Sequence, residues 1–92
     1  MSTISLKRNH TMASDRLREE VQALADKLVN KFGGSATWHG DEIHYDYGGG
    51  LKACVACKAD EVQVEVELTG VMSLFRDRIA GEVEEYLRRH IS

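Results

Sequence analysis

The chain has 92 residues and a formal net charge of −3, with 42% hydrophobic and 29% charged residues. This composition is typical of one soluble globular domain with a modest core and excludes a disordered chain. The 12 basic residues are interleaved with 15 acidic ones and form no basic stripe, so we expect no nucleic-acid partner. The apolar runs are too short for a membrane span, and MSTISLKRNH has no apolar signal segment, which predicts a cytoplasmic protein.

A strand and a helix are predicted first. The segment ISLKR alternates apolar and polar residues, the period of a half-buried strand. A helix is predicted from Ser14, as its N-cap, to a stop at Gly33-Gly34. Its single apolar stripe comprises Leu17, Val21, Leu24, Leu28 and Phe32.

Four strands with three turns are predicted next. A two-residue turn at Gly40-Asp41, a loop at the triple glycine 48–50 and a turn at Ala59-Asp60 set their register. The face predicted to be buried comprises Trp38, Ile43, Tyr45, Tyr47, Leu51, Ala53, Val55, Cys57, Val62, Val64, Val66 and Leu68. The open face comprises Glu42, His44, Asp46, Lys52, Lys58, Glu61, Gln63, Glu65 and Glu67. Such alternation indicates an antiparallel sheet with one face on the core and one in water.

A second helix is predicted from about Val71 to His90. Its apolar stripe comprises Met72, Phe75, Ile79, Val83, Tyr86 and Leu87. The order β-α-β-β-β-β-α predicts one α+β domain, residues 1–92, with two helices packed on one face of an antiparallel sheet. In element order it is similar to a miniature helix-grip domain, a likeness that carries no function.

The CxxC formed by Cys54 and Cys57 is predicted to be part of a strand. A zinc half-site or a redox dithiol needs both sulfurs on one side, whereas strand residues three apart point to opposite faces. We therefore predict two free thiols, with Cys57 in the core and Cys54 on the open face. There is no second CxxC and no metal-type histidine spacing, so no metal site and no cofactor are predicted.

Cys54 has a second interpretation. The predicted register places it between His44 and Glu65, and cysteine, histidine and carboxylate together can form an activated thiolate. An open sheet face, however, offers no oxyanion donors and does not exclude water. We therefore predict solvated surface residues, no catalytic site and a non-enzymatic protein.

Several stretches resemble one known family. They are MSTISLKRNH, LADKLVNKFG, WHGDEIHY and VQVEVELTGVMSLFRDRIAGEVEEYLRRHI, with marked positions Trp38, Gly40, Asp41, Gly70, Phe75, Ile79 and Leu87. Over almost the whole chain they resemble the polyhydroxyalkanoic acid system, or granule-region, proteins. That family takes its name from bacterial genes near those for making and storing polyhydroxyalkanoate, the carbon-reserve polyester. The two cysteines are not part of the pattern.

The resemblance implies a cytoplasmic bacterial protein associated with the polyester storage system. It implies a granule-associated or accessory binding protein, whose partner is the polyhydroxyalkanoate granule or another granule protein. It supplies no reaction, cofactor or catalytic residue.

Large residues on the apolar faces suggest an alternative function, the carriage of a small apolar ligand. A pocket between the sheet and the C-terminal helix would suit an acyl chain. Its candidate lining residues are Trp38, Tyr45, Tyr47, Phe75 and Tyr86. The competing interpretation, which the short chain favours, is that these residues fill a close-packed core.

A further apolar cluster lies at the start of the second helix. It consists of Val71, Met72, Leu74 and Phe75. Because Leu74 lies off the main stripe, part of this cluster is a candidate contact with a granule surface or a partner chain. The alternative is that Leu74 packs against the first helix.

Overall fold

Strands and helices follow the predicted order in the computed structural model, which describes residues 2–91 and leaves Met1 and Ser92 outside the described residues. The elements are β1 Ser2–Asn9, α1 Ser14–Phe32, β2 Ser35–His39, β3 Glu42–Tyr47, β4 Leu51–Cys57, β5 Glu61–Leu68, a 3₁₀ helix Gly70–Phe75 and α2 Arg76–His90. The predicted α+β class and the order β-α-β-β-β-β-α are confirmed.

The five strands form one antiparallel sheet in the order β1-β5-β4-β3-β2. The turns set the register as predicted: Trp38 lies opposite Ile43, Tyr45 opposite Ala53 and Val55 opposite Val64. The first strand completes the sheet by pairing with the last, so that Ile4 lies opposite Val66.

Both helices cover the apolar face of the sheet. Helix α1 contacts β2, β3 and β4, and α2 contacts β1. The core is built from alternate strand residues, such as Val62 and Leu68, together with the helix stripes. After α2, Ile91 is fully buried, and the Nε of Arg8 donates a hydrogen bond to its carbonyl oxygen. The C-terminal end of α2 is thereby fixed to β1.

The two helix starts differ from the predictions. Ser14 is the first helical residue and not the N-cap, because Ala13 has extended backbone angles and its carbonyl accepts the Leu17 N–H at 2.9 Å. Helix α2 begins at Arg76 and not at Val71. The residues before it form the 3₁₀ helix, whose first turn is closed by the Ser73 hydroxyl donating to the Gly70 carbonyl at 2.7 Å.

The loop before β4 contacts Thr69, the residue that precedes the 3₁₀ helix. Gly50 has φ +111°, and a Cβ there would lie 2.5 Å from the carbonyl oxygen of Thr69. The Thr69 N–H in turn donates to the Gly50 carbonyl at 2.9 Å. This close backbone approach requires glycine and fixes the position of the segment that follows.

Candidate functional site

An exposed apolar surface, here called the apolar patch, consists of Val71, Leu74 and Phe75. Their exposed fractions are 70%, 82% and 43%. A 3₁₀ helix has three residues per turn, so residues i and i+3 lie one above the other. Val71 and Leu74 therefore share the outward side, whereas Met72, at 8% exposed, points to the core. The structure thus confirms that part of the predicted cluster is exposed, and it places Leu74 in solvent.

The apolar patch continues into a crevice between the two helices. This crevice of about 230 Å³ is lined by Phe32, Phe75 and Ile79, with Lys31, Arg78 and Glu82 at its rim. Lys31 Nζ donates to both carboxylate oxygens of Glu82, at 2.5 and 2.7 Å. The Lys31 hydrogen bond lowers the pKa of the Glu82 carboxyl. An apolar floor with a charged rim is typical of a contact surface.

The segment that carries the patch is held in place on several sides. Met72 is buried beneath it, and Gly50 and Thr69 fix its first residues. At its other end, Arg76 Nη2 donates to the Thr3 carbonyl of β1 at 3.4 Å. A surface that is already ordered loses little conformational entropy on binding.

The aromatic residues predicted to line a ligand pocket occupy separate surroundings. Tyr45 is buried in the core and its hydroxyl donates to the Gly33 carbonyl; burial raises the pKa of this phenol. Trp38 lies against α1, where its Nε1 donates to Gln22 at 2.7 Å and Arg18 lies 4.3 Å above its ring.

The other three aromatic residues lie elsewhere. The ring of Tyr47 lies against Gly49 in the triple-glycine loop. Tyr86 packs between the helices, donates to the Glu20 carbonyl at 3.0 Å and stacks on His90, and Phe75 belongs to the apolar patch. Tyr45, Trp38, Tyr86 and Phe75 line four different depressions. The carrier function therefore gains no observation in its favour.

Cys54 and Cys57 are free thiols whose side chains lie on opposite faces of β4. Cys57 packs against the edge of the core. Cys54 lies on the open face, between His44 on β3 and Glu65 on β5, as predicted. The predicted face for each cysteine is confirmed.

The contacts of Cys54 include one that the sequence reasoning missed. Its Sγ lies 3.2 Å from Oε1 of Glu42 and 3.8 Å from Nε2 of His44. Glu42 lies two residues before His44, and strand residues two apart share a face. This spacing in the sequence could have indicated that Glu42 lies near Cys54 and His44. Burial first, then the hydrogen bond to Glu42, raises the pKa of the Cys54 thiol to about 11. This environment favours the neutral thiol and opposes an activated thiolate.

Two further observations come from the described residues 2–91. No helix within residues 2–91 is both long enough and apolar enough to cross a membrane. The ligand atoms of Glu42, His44 and Cys54 lie within 4.8 Å of one another, close enough to hold a metal ion.

Comparison with known proteins places the chain in a family. No curated protein sequence matches it closely enough to count as a relative. The family described as "putative polyhydroxyalkanoic acid system protein" matches residues 4–91, which extend from β1 to the buried Ile91 after α2. The resemblance seen in the sequence is thereby confirmed. The chain belongs to this family, whose name connects it with a polyhydroxyalkanoate system.

Proposed function

We propose that the protein is a non-enzymatic, granule-associated protein that binds the polyhydroxyalkanoate surface through the apolar patch. One observation carries the proposal: Val71, Leu74 and Phe75 are exposed together on an anchored 3₁₀ segment. Family membership supports a connection with a polyhydroxyalkanoate system, and the proposal takes the polyester itself as the partner. A protein that coats such a granule needs an apolar contact surface, and large exposed apolar patches mark interaction sites.

The chemistry of the patch fits a polyester. The alkyl groups of the polymer can cover Val71, Leu74 and Phe75, while its ester carbonyls can accept hydrogen bonds from cationic side chains at the rim. Lys31 and Arg78 lie at that rim, beside the crevice that continues from Phe75. Since the repeating ester units of the polymer are uncharged, apolar contact and not charge attraction supplies the binding energy.

The area available sets an upper limit on the affinity. The exposed fractions of 70%, 82% and 43% amount to about two fully exposed side chains. Burying one such side chain contributes about 1.5–3 kcal/mol, so complete burial of the patch contributes about 3–6 kcal/mol. Association costs reduce this sum. The proposal therefore predicts weak, reversible binding.

The surroundings of Cys54 support the non-enzymatic part of the proposal. Cysteine, histidine and carboxylate do meet at Cys54, but burial and, after it, the neighbouring Glu42 raise the pKa of the thiol to about 11. A nucleophilic cysteine requires the opposite shift.

Co-sedimentation with polyhydroxyalkanoate particles tests the proposal. The full chain is compared with a variant carrying Val71→Ser, Leu74→Ser and Phe75→Ser. A matched control carries serine at three exposed alanines away from the patch, Ala13, Ala23 and Ala59. Circular dichroism and thermal unfolding establish that each variant is folded, as expected for exposed positions.

We expect the wild type and the control to sediment alike. The patch variant should require at least about 100-fold more particle surface for half-binding, which corresponds to about 3 kcal/mol. Equal binding of the patch variant would refute the proposed surface. A wild type that stays in solution while a known granule coat protein sediments would refute the granule association itself.

A further inference from the structure

The open face of the sheet carries a row of polar side chains that crosses all five strands. From one edge to the other the row is Thr37, His44, Cys54, Glu65 and Ser5. Glu42 stands in the next row, two residues before His44, and its partner across the β3–β4 pair is Ala56. The small side chain of Ala56 leaves the Glu42 carboxylate room to turn diagonally toward Cys54. Carboxylate, imidazole and thiol therefore converge on one point of the open face.

We propose that Glu42, His44 and Cys54 form a binding site for a single zinc ion. The three ligand atoms are separated by 3.2 Å (Sγ to Oε1), 3.8 Å (Sγ to Nε2) and 3.4 Å (Nε2 to Oε1). Tetrahedral zinc with bonds of about 2.0–2.3 Å requires its sulfur, nitrogen and oxygen ligands to lie roughly 3.3–3.6 Å apart. Each observed separation agrees with this requirement to within about 0.3 Å, so the ion can enter with small side-chain movements.

The ligand types select the metal. Thiolate and imidazole favour zinc and its transition-metal neighbours, whereas magnesium and calcium require sites built from oxygen. On binding, the Cys54 thiol gives its proton to solvent as the sulfur–zinc bond forms, and His44 binds as the neutral imidazole. No change in oxidation state is involved.

The fourth zinc position faces the open side of the sheet. Water can fill it, and Glu65 stands directly across from Cys54 on β5. The carboxylates of Glu42 and Glu65 make the surroundings favourable for a cation. The ring of His39 meets that of His44 edge-on at a centroid distance of 4.8 Å, and this contact restricts the orientation of the imidazole.

The site is built on paired strands in the interior of the sheet. The ligands come from β3 and β4, which are paired with each other and flanked by β2 and β5. Ligands on paired strands keep their spacing better than ligands on loops. The site lies on the open sheet face, whereas the apolar patch lies on the 3₁₀ helix, so the zinc site and the granule function can be tested independently.

Cobalt and zinc titrations of the full chain, freed of metal with a chelator and kept reduced, test the proposal. Co²⁺ bound by a thiolate gives a sulfur-to-metal charge-transfer band, and four-coordinate cobalt gives intense visible absorption. Zn²⁺ affinity is measured by competition with a chromophoric chelator. The ligand variants are Cys54→Ser and His44→Gln, and the matched control is Cys57→Ser, which removes the thiol on the other face of the same strand.

We expect one Co²⁺ per chain with a charge-transfer band in the wild type and in Cys57→Ser. Cys54→Ser should lose the band, and both ligand variants should bind Zn²⁺ at least about tenfold more weakly, since removing even an indirect partner of a metal ligand costs that much. The absence of a band in the wild type would overturn the site. So would a band that survives in Cys54→Ser, or one ion per two chains. Circular dichroism verifies the fold of each variant, and His44→Gln provides a second test if Cys54→Ser does not fold.

Discussion

The surroundings of the Cys54 thiol predict that it reacts slowly with alkylating reagents. The pKa of Cys54 is raised from 9.0 to about 11, by burial first and then by the hydrogen bond and charge of Glu42. At pH 8 the thiolate fraction therefore falls from about one in ten to about one in a thousand. A more basic thiolate is a better nucleophile, which restores part of the rate. The net expectation is alkylation about tenfold or more slower than that of an unperturbed thiol.

The perturbation is Glu42→Gln, which removes the carboxylate charge beside the sulfur. The pKa of Cys54 should fall toward its ordinary value, so alkylation at pH 8 should become faster. Glu65→Gln is the matched control, because the charge of Glu65 is the smallest of the causes that raise this pKa, and it should change the rate less. A Cys57→Ser background leaves Cys54 as the only cysteine.

The assay is the rate of iodoacetamide labelling of the metal-free protein, followed by mass spectrometry from about pH 7 to about pH 11. We expect a pH–rate midpoint well above the ordinary thiol value, lowered by Glu42→Gln. A midpoint at the ordinary value that Glu42→Gln does not move would refute the reasoning. A midpoint below pH 7 would instead support an activated thiolate, and with it the enzymatic interpretation.

Further predictions concern stability. Gly50→Ala should lower the free energy of unfolding by about 1–3 kcal/mol, because the new Cβ meets the Thr69 carbonyl at positive φ. Gly81→Ala, at a position in α2 where a Cβ meets no other atom, should raise the free energy of unfolding by about 0.5–1 kcal/mol. Urea denaturation measures this free energy for both variants, and the same change in both would contradict the prediction. Burial raises the pKa values of Tyr45 and Tyr86. A phenol whose pKa is higher in the folded than in the unfolded state contributes its full stabilisation to the fold at pH values below the unfolded pKa of about 10. This contribution is lost as the pH rises above that value. The free energy of unfolding should therefore fall from pH 9 to about pH 11, less so in Tyr86→Phe, and a profile that Tyr86→Phe leaves unchanged would count against a role for this phenol.

The sheet was the most predictable part of the fold, because three turns and strict alternation had to agree on one register. The pairing of Trp38 with Ile43, and the opposite faces of Cys54 and Cys57, followed from that agreement. The pairing of β1 with β5 could not be predicted in the same way, because it joins the two ends of the strand sequence and no turn connects them.

The candidate sites were less predictable. An apolar stripe over residues 71–75 suits an α-helix or a 3₁₀ helix equally, and only the tertiary structure separates the buried Met72 from the exposed Leu74. The grouping of Glu42 with Cys54 is diagonal between strands, and it depends on side-chain rotamers that periodicity does not specify. Periodicity placed the five aromatic residues of the predicted pocket on the apolar faces of the sheet and of the second helix. Residues on these faces need not line the same pocket.

The claim that Leu74 contacts the polyester is tested most directly by binding isotherms of Leu74→Ser and Leu74→Met on polyhydroxyalkanoate particles. Leu74 is 82% exposed, so its burial contributes about 1–2.5 kcal/mol and the serine variant should bind about 5- to 60-fold more weakly. Leu74→Met keeps the apolar surface and should bind within about twofold of the wild type. Identical isotherms for Leu74→Ser and the wild type would contradict the proposed granule contact.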